Sequence, residues 1–356
     1  MFLPVVIREK LHTVYKKLEC REHHLSYLFL ELTRSCNLTC RHCGSDCSSN
    51  ESAVSLTTDS WLKILDSIAE QFNPLPFLVL TGGEATIHPD FKLIIEKIST
   101  LGFKWGLVSN GYSIDQSLVN LFDTNNISSI TISLDGTQEI HNWLRCKPDS
   151  FQNVLSTLDL LSKSKCAIKD VVTCVHRKNI DDLDNIAQIL IDKKIGLWRL
   201  FRIFPSGRAK DNEELTMSDQ ETRRMLDWIA SNKKSLLKRG LDCNFSCEGF
   251  LPFALDSKVR NAPFFCRAGI NMASILCDGT ITGCSNNAPQ FHVGNIQKDN
   301  LGYLWQHSFT QFRDKSWVRK TSCQSCRHIN QCEGGSIHLW RNSMVKPDFC
   351  YKDCFK

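Results

Sequence analysis

The sequence predicts an α/β protein: a parallel sheet wound by right-handed crossovers, followed by a cysteine-rich second region. Three observations predict it. Six strand-like apolar runs alternate with helical periodicity between Ser26 and Phe204, which is the pattern of repeated βα units. Polar or glycine-bearing residues follow the strand runs, where parallel α/β folds collect their chemistry. Beyond about residue 240 the alternation stops, and eight of the remaining residues from Cys266 onward are cysteine.

The elements follow in order. Residues 27–33 form an apolar strand. Residues 56–72 have helical periodicity, with Thr57 or Thr58 as N-cap before Asp59. Strand 77–80 runs into the glycine turn Gly82-Gly83. Helix 89–101 leads to strand 103–109, which ends at Asn110-Gly111. Helix 114–122 precedes strand 127–134, which ends at Asp135-Gly136. Helix 151–162, strand 168–175, helix 180–193 and strand 196–203 complete the series. Residues 217–239 make a longer amphipathic helix with a basic end. The expected division is an N-terminal extension at 1–25, a core at 26–210, a linking helix at 211–245 and the cysteine-rich region at 246–356. That last region is too irregular for an ordinary core, and metal staples are the expected substitute.

Composition narrows the class. Apolar residues are 42% of the 356 and charged residues 23%, ordinary values for a soluble globular chain. Forty-three basic against 38 acidic side chains leave a net charge of +5. Spread over the whole chain, this is too weak to argue for nucleic acid and suits an acidic peptide partner. No apolar run approaches the length of a membrane span, and residues 1–10 lack the features of a secretory signal. The expected setting is therefore the reducing cytoplasm, where 18 cysteines point to metal ligands rather than disulfides.

Cys36, Cys40 and Cys43 form C-x3-C-x2-C directly after the first strand. Three thiolates suit three irons of a [4Fe–4S] cluster and leave the fourth iron open to a substrate or cofactor. Zinc is the alternative, with His42 or Cys47 as its fourth ligand.

The triad, its place after the first strand, and the motifs that follow in order resemble the radical S-adenosylmethionine (SAM) superfamily. These motifs are Thr81-Gly82-Gly83-Glu84, Ser109-Asn110-Gly111, Ser133-Leu134-Asp135-Gly136 and His141-Asn142-Trp143-Leu144-Arg145. The resemblance implies a partial (β/α)6 TIM-like barrel, with SAM chelating the open iron and split to a 5′-deoxyadenosyl radical. It assigns Gly82, Gly83 and Glu84 to the SAM amino group. Ser109 and Asn110 join the cofactor-binding set, Ser133 and Asp135 reach the ribose region, and Arg145 positions the cofactor. Ala85 stands where the family usually has proline. Arg199, Arg202 and Arg208 are candidates for a carboxylate of SAM or substrate, with solvated surface arginines as the other reading.

The C-terminal spacing Cys266-x12-Gly279-x4-Cys284, then Cys323-x2-Cys326-x5-Cys332, then Cys350 and Cys354, resembles the SPASM auxiliary iron–sulfur domain. That resemblance implies one or two auxiliary [4Fe–4S] clusters. Cys323, Cys326, Cys332 and Cys350 make a complete four-thiolate set. The other cluster would use Cys266, Cys284 and an upstream thiolate, Cys247 or else Cys243. Its remaining position is Ser336, where the family usually has cysteine. An open iron, a serine oxygen, Cys277, Cys354 or failed assembly are the options there. A zinc-ribbon-like site is the other reading of Cys323 to Cys350. Trp340 and His338 are read as shielding, and Cys47 as a redox or cluster-protecting thiol.

The same resemblance implies a maturase that installs carbon–carbon or thioether cross-links in a ribosomally made precursor peptide or small protein. It would be served by a reductant such as flavodoxin or ferredoxin. Alternatives are a formylglycine-forming sulfatase maturase and a non-catalytic iron–sulfur scaffold or electron carrier.

Overall fold

The computed structural model describes residues 5–48, 55–210, 212–246 and 249–355. Helix α1 (Val5–Glu22) precedes strand β1 (Tyr27–Glu31). Then α2 (Thr58–Gln71), β2 (Phe77–Thr81), α3 (Phe91–Thr100), β3 (Trp105–Ser109), α4 (Gln116–Thr124) and β4 (Ser129–Ser133) alternate. They are followed by α5 (Gln138–Arg145), α6 (Ser150–Ser162), β5 (Ile168–Val175), α7 (Leu183–Asp192), β6 (Leu197–Arg202), α8 (Asp219–Lys238) and β7 (Asp242–Phe245). Strands β1 to β7 are consecutive parallel neighbours, and the hydrogen-bonded sheet stays open, a partial barrel.

Side-chain alternation sets the layers. Leu28, Leu30, Leu78, Leu80, Trp198 and Leu200 are buried, with half-buried residues between them, as expected of a sheet covered by helices on one face. Trp61, Ile64, Leu65 and Ile68 supply the matching stripe on α2, at the spacing of one helical face. Thr57 rather than Thr58 caps this helix, accepting from the Ser60 N–H at 3.2 Å. The Thr58 hydroxyl instead donates to Asp90 at 2.5 Å.

The cysteine-rich region continues the sheet. After α9 (Phe253–Val259) come β8 (Met272–Ile275), β9 (Thr280–Thr282) and β10 (His292–Asn295), then α10 (Leu301–His307). Strand β8 pairs in parallel with β1, Tyr27 opposite Met272 and Leu30 opposite Ile275. The order is β10-β9-β8-β1-β2-β3-β4-β5-β6-β7. The expectation of a region without an ordinary core is corrected here. Phe291, Trp305, Phe309, Phe312 and Trp340 are buried in the same apolar cluster as Leu28 and Leu78. Pairing β8 onto β1 lets these aromatics extend the barrel's core, so metal staples do not replace it.

Other departures are local. Residues 5–22 are helical, and α1 is tied to the C-terminal region: Glu19 accepts from Asn271 Nδ2 at 2.6 Å, and Lys16 pairs with Glu333 at 2.5 Å. Two helices, α5 and α6, stand where one was expected.

Candidate active site

Cys36, Cys40 and Cys43 lie in the loop after β1 and cluster with Leu38 and Cys47. Two neighbouring segments hold this loop. From the end of β2, Gly83 N–H donates to Thr33 O at 2.8 Å and Glu84 N–H to Ser35 O at 3.0 Å. A Cβ on Gly82, whose φ is +146°, would meet Thr33 O at 2.3 Å, and one on Gly83 would meet Ser35 O at 2.4 Å. The bare glycine backbone is thus spent on close approach to the cysteine loop itself. From the end of β6, Arg208 Nε donates to Cys40 O at 2.7 Å, its Nη1 to Cys47 O at 2.9 Å, and its N–H to Cys43 O at 3.0 Å. Arg208 is a clasp on the loop, neither a ligand arginine nor a solvated one. Its signal was the segment Pro205-Ser206-Gly207 before it: Gly207 has φ +55°, and a Cβ there would meet Cys43 O at 2.3 Å.

Each of the three sulfurs has a donor nearby. Leu38 N–H donates to Cys36 Sγ at 3.5 Å, Cys47 N–H to Cys43 Sγ at 3.3 Å, and Arg145 Nη1 to Cys40 Sγ at 3.6 Å. Burial pushes the Cys36 thiol up to about 11 and also raises Cys40, against the pull of Arg145. The Cys47 thiol, helped by Arg208, brings Cys43 down to about 5. Two buried thiols and a half-buried third, with N–H donors and two nearby cations, fit an anionic iron–sulfur cluster held by three ligands. The His42 route to a four-ligand zinc site is not what the fold builds: that imidazole sits within 4.8 Å of Asp135 and Cys174. Among the described cysteines there is no disulfide.

Glu84 is 1% exposed. Its Oε1 accepts from Thr86 Oγ1 at 2.7 Å and Ser109 Oγ at 2.9 Å, and its Oε2 from Asn110 N–H at 2.8 Å. Burial raises this carboxyl's pKa, and these donors oppose the rise. Asn110 Nδ2 reaches Cys36 Sγ at 3.8 Å, linking the network to the thiols. At the end of β4, Ser133 is half-buried and Asp135 fully buried. Asp135 Oδ2 accepts from Arg145 Nε at 2.7 Å, and its Oδ1 from Cys174 N–H at 2.8 Å. Burial would raise the Asp135 carboxyl, but the Arg145 guanidinium more than reverses this and holds it at about 2. Arg199 and Arg202 have protein partners of their own. Arg199 bonds Asp170 at 2.8 Å, and Arg202 is buried over the Phe349 ring at 3.5 Å.

The C-terminal cysteines line two cavities. Cys323, Cys326, Cys332 and Cys350 share one of about 220 Å³. Positive φ at Glu333, Gly334 and Gly335 turns the chain after Cys332. Cys266 and Cys284 share another of about 360 Å³. The β8–β9 hairpin, turning at Gly279 with φ +86°, returns Cys284 to Cys266, which explains the Gly279 in the spacing. Cys247 lies outside the described residues. Cys243 is fully buried in β7, opposite Trp198, outside this cavity's lining. Cys277 bonds Glu31, Cys354 Sγ lies 3.7 Å from Asp219, and Ser336 Oγ accepts from Gly249 N–H. Of the suggested shields, Trp340 donates to Gly334 O at 2.8 Å, whereas His338 lines the Cys266–Cys284 cavity, not that of Cys323.

Residues 30–190 match the model of the radical SAM superfamily, and residues 266–327 match SPASM, an iron–sulfur cluster-binding domain. The chain carries a radical SAM core and a SPASM domain. It is thus a radical SAM/SPASM protein, of a class of enzymes that work with [4Fe–4S] clusters and SAM. It is similar to the AdoMet-dependent heme synthase of Methanosarcina barkeri, 23% identical over 85% of this chain and 89% of that one. It is also similar to the mycofactocin maturase MftC of Mycolicibacterium smegmatis, 29% identical over 86% of this chain and 76% of that one. Streptococcus suis SuiB bound to its precursor peptide SuiA shares the fold of this radical SAM chain. Its TM-score is 0.71 at 18% identity, over 96% of this chain and 80% of that one. Among the described residues no helix is long and apolar enough to cross a membrane.

Proposed function

We propose that this radical SAM/SPASM chain is a peptide maturase that installs carbon–carbon or thioether cross-links in a ribosomally made precursor. Cys36, Cys40 and Cys43 would hold the SAM-binding cluster, and the two C-terminal cavities the auxiliary clusters. With SAM bound, the first cluster supplies one-electron cleavage of SAM, and so a 5′-deoxyadenosyl radical able to take hydrogen from an unactivated C–H bond. The chain's own residues do the positioning. Gly83, Glu84 and Arg208 fix the cysteine loop, the Glu84–Ser109–Asn110 network shapes the SAM end, and Arg145 keeps a cation beside Cys40.

The observation that carries this reading is the wall shared by the barrel and the auxiliary region. Leu197 and Arg199 of β6 line the same cavity as Cys266 and Cys284. A cross-link removes two hydrogens, so its site needs an electron acceptor beside the substrate, and this cavity is where the chain would house one. Similarity to MftC supports a peptide substrate. A soluble one-electron carrier, flavodoxin or ferredoxin, would reduce the protein.

Similarity to the heme synthase favours a second reading, a tetrapyrrole substrate. One experiment separates the two. Reduced, reconstituted protein is given SAM with either a co-encoded short peptide or a porphyrin. A peptide lighter by about 2 Da per cross-link, with 5′-deoxyadenosine released, supports the maturase. An unchanged peptide and a converted porphyrin support the second reading. S-adenosylhomocysteine would indicate methyl transfer and overturn both.

A further inference from the structure

The cavity lined by Cys266 and Cys284 is short of thiolates. Ser336 stands where the SPASM pattern expects cysteine, and its hydroxyl oxygen is turned to the Gly249 N–H at 3.1 Å. Two residues on, His338 lines this same cavity. The side chain is 8% exposed and stacks on Phe204 with ring centroids 4.7 Å apart. Its Nε2 is buried with no hydrogen-bond partner among the described residues. An imidazole nitrogen left unpaired in the interior costs free energy unless something absent from the protein chain completes it.

The chemistry of the remaining lining narrows that something. Arg199 and Arg260 are cations and donate only. Asn287 Oδ1 is also buried without a partner, but an amide oxygen is a hard ligand, whereas imidazole and thiolate both suit iron. The spacing agrees. Among the described residues only His42, Asp135 and Cys174 bring three ligand atoms within 4.8 Å. Cys266, Cys284 and His338 are set wider, like Cys323, Cys326, Cys332 and Cys350 in their own cavity. They are therefore not gathered as the ligands of a single ion.

We propose that His338 is a nitrogen ligand of the first auxiliary iron–sulfur cluster, taking the corner that Ser336 leaves without a thiolate. The inference rests on the seating of a cluster against Cys266 and Cys284 proposed above. A neutral imidazole in place of a thiolate makes the cluster less negative, which raises its reduction potential. This cluster is then the better electron acceptor of the auxiliary pair.

The test uses the whole chain, reconstituted anaerobically with iron and sulfide, reduced, and kept free of SAM. Pulsed EPR should show an imidazole nitrogen coupled to a cluster with the strength of direct ligation, its pattern changed by [15N]histidine labelling. His338→Cys should abolish the coupling, keep the iron content and lower the midpoint potential of one cluster. A parent protein with about twelve irons and no such nitrogen overturns His338 as ligand while leaving the cluster in place. A coupling that survives in His338→Cys also overturns it. Iron content near eight, unchanged by Cys266→Ala, shows that this cavity holds no cluster and overturns both the ligand and the seating. If His338→Cys does not fold, the labelled parent decides alone.

Discussion

Ser336 Oγ accepts a hydrogen bond from the N–H of Gly249 at 3.1 Å. Ser336 is 1% exposed, so this bond fastens the turn after Cys332 to the segment before α9 without water. Ser336→Ala leaves a buried N–H without its acceptor and should cost about 1–3 kcal/mol. Urea unfolding of the cluster-free protein measures it; an unchanged midpoint would mean that the bond contributes nothing.

Asp135 and Arg145 form a buried ion pair, and removing one partner strands the other. Arg145→Met should destabilise the protein by about 3–5 kcal/mol. The pair also sets an acid response. Asp135's folded pKa of about 2 lies below its ordinary 3.8, so its stabilisation is complete above about pH 4 and lost as pH falls from there toward 2. Asp135→Asn should flatten that limb of the stability curve.

Two buried histidines act at milder pH. Burial lowers both His141 and His176 from 6.5 to about 4. His141 Nδ1 accepts from Asp135 N–H at 3.1 Å, which fits a neutral ring. Below about pH 6.5 the unfolded chain binds protons that the folded chain refuses, so stability falls from pH 6.5 to about 4. Chemical denaturation at pH 7 and pH 5 should show the loss, and His141→Gln should reduce it.

Glu84→Gln places an amide NH2 among groups that now donate to a carboxylate. SAM affinity should fall about ten- to a hundredfold, the loss expected of one charge-assisted hydrogen bond. Equilibrium binding to reconstituted protein checks this, and unchanged affinity would remove Glu84 from the SAM site.

Cys40→Ala should remove about four irons per chain and all 5′-deoxyadenosine formation. Cys326→Ala should remove a similar amount of iron while SAM cleavage persists. If either variant keeps the full iron content, that cysteine has been given the wrong role.

The sequence made the barrel legible because its strands are long enough to alternate and its helices long enough to show a stripe, as in Trp61 to Ile68. The order of motifs also located the thiols, Glu84 and Asp135. What stayed hidden was short or relational. Strands β8 to β10 have only three or four residues each, too few for periodicity to register. Asp278-Gly279 was a hairpin signal absorbed into a cysteine spacing. Arg208 carried its signal only in the Pro205-Ser206-Gly207 turn before it, which marks a close approach without naming the loop approached. His338 acquires meaning only beside Cys266 and Cys284, more than 50 residues away in the chain.

The pairing of β8 with β1 fixes an electrical dimension. The loop bearing Cys36, Cys40 and Cys43 leaves the end of β1, and the hairpin that carries the chain from Cys266 to Cys284 starts on the adjacent strand. The two sets of thiols lie at opposite ends of this strand pair: the first follows Glu31, whereas Cys266 precedes β8 and the antiparallel β9 returns Cys284 to the end where Tyr27 faces Met272. With a cluster at each end, the tunnelling distance would be set by the length of a strand within one sheet rather than by a hinge. Parting the barrel from the cysteine-rich region would break the hydrogen-bonded pairing of β1 with β8.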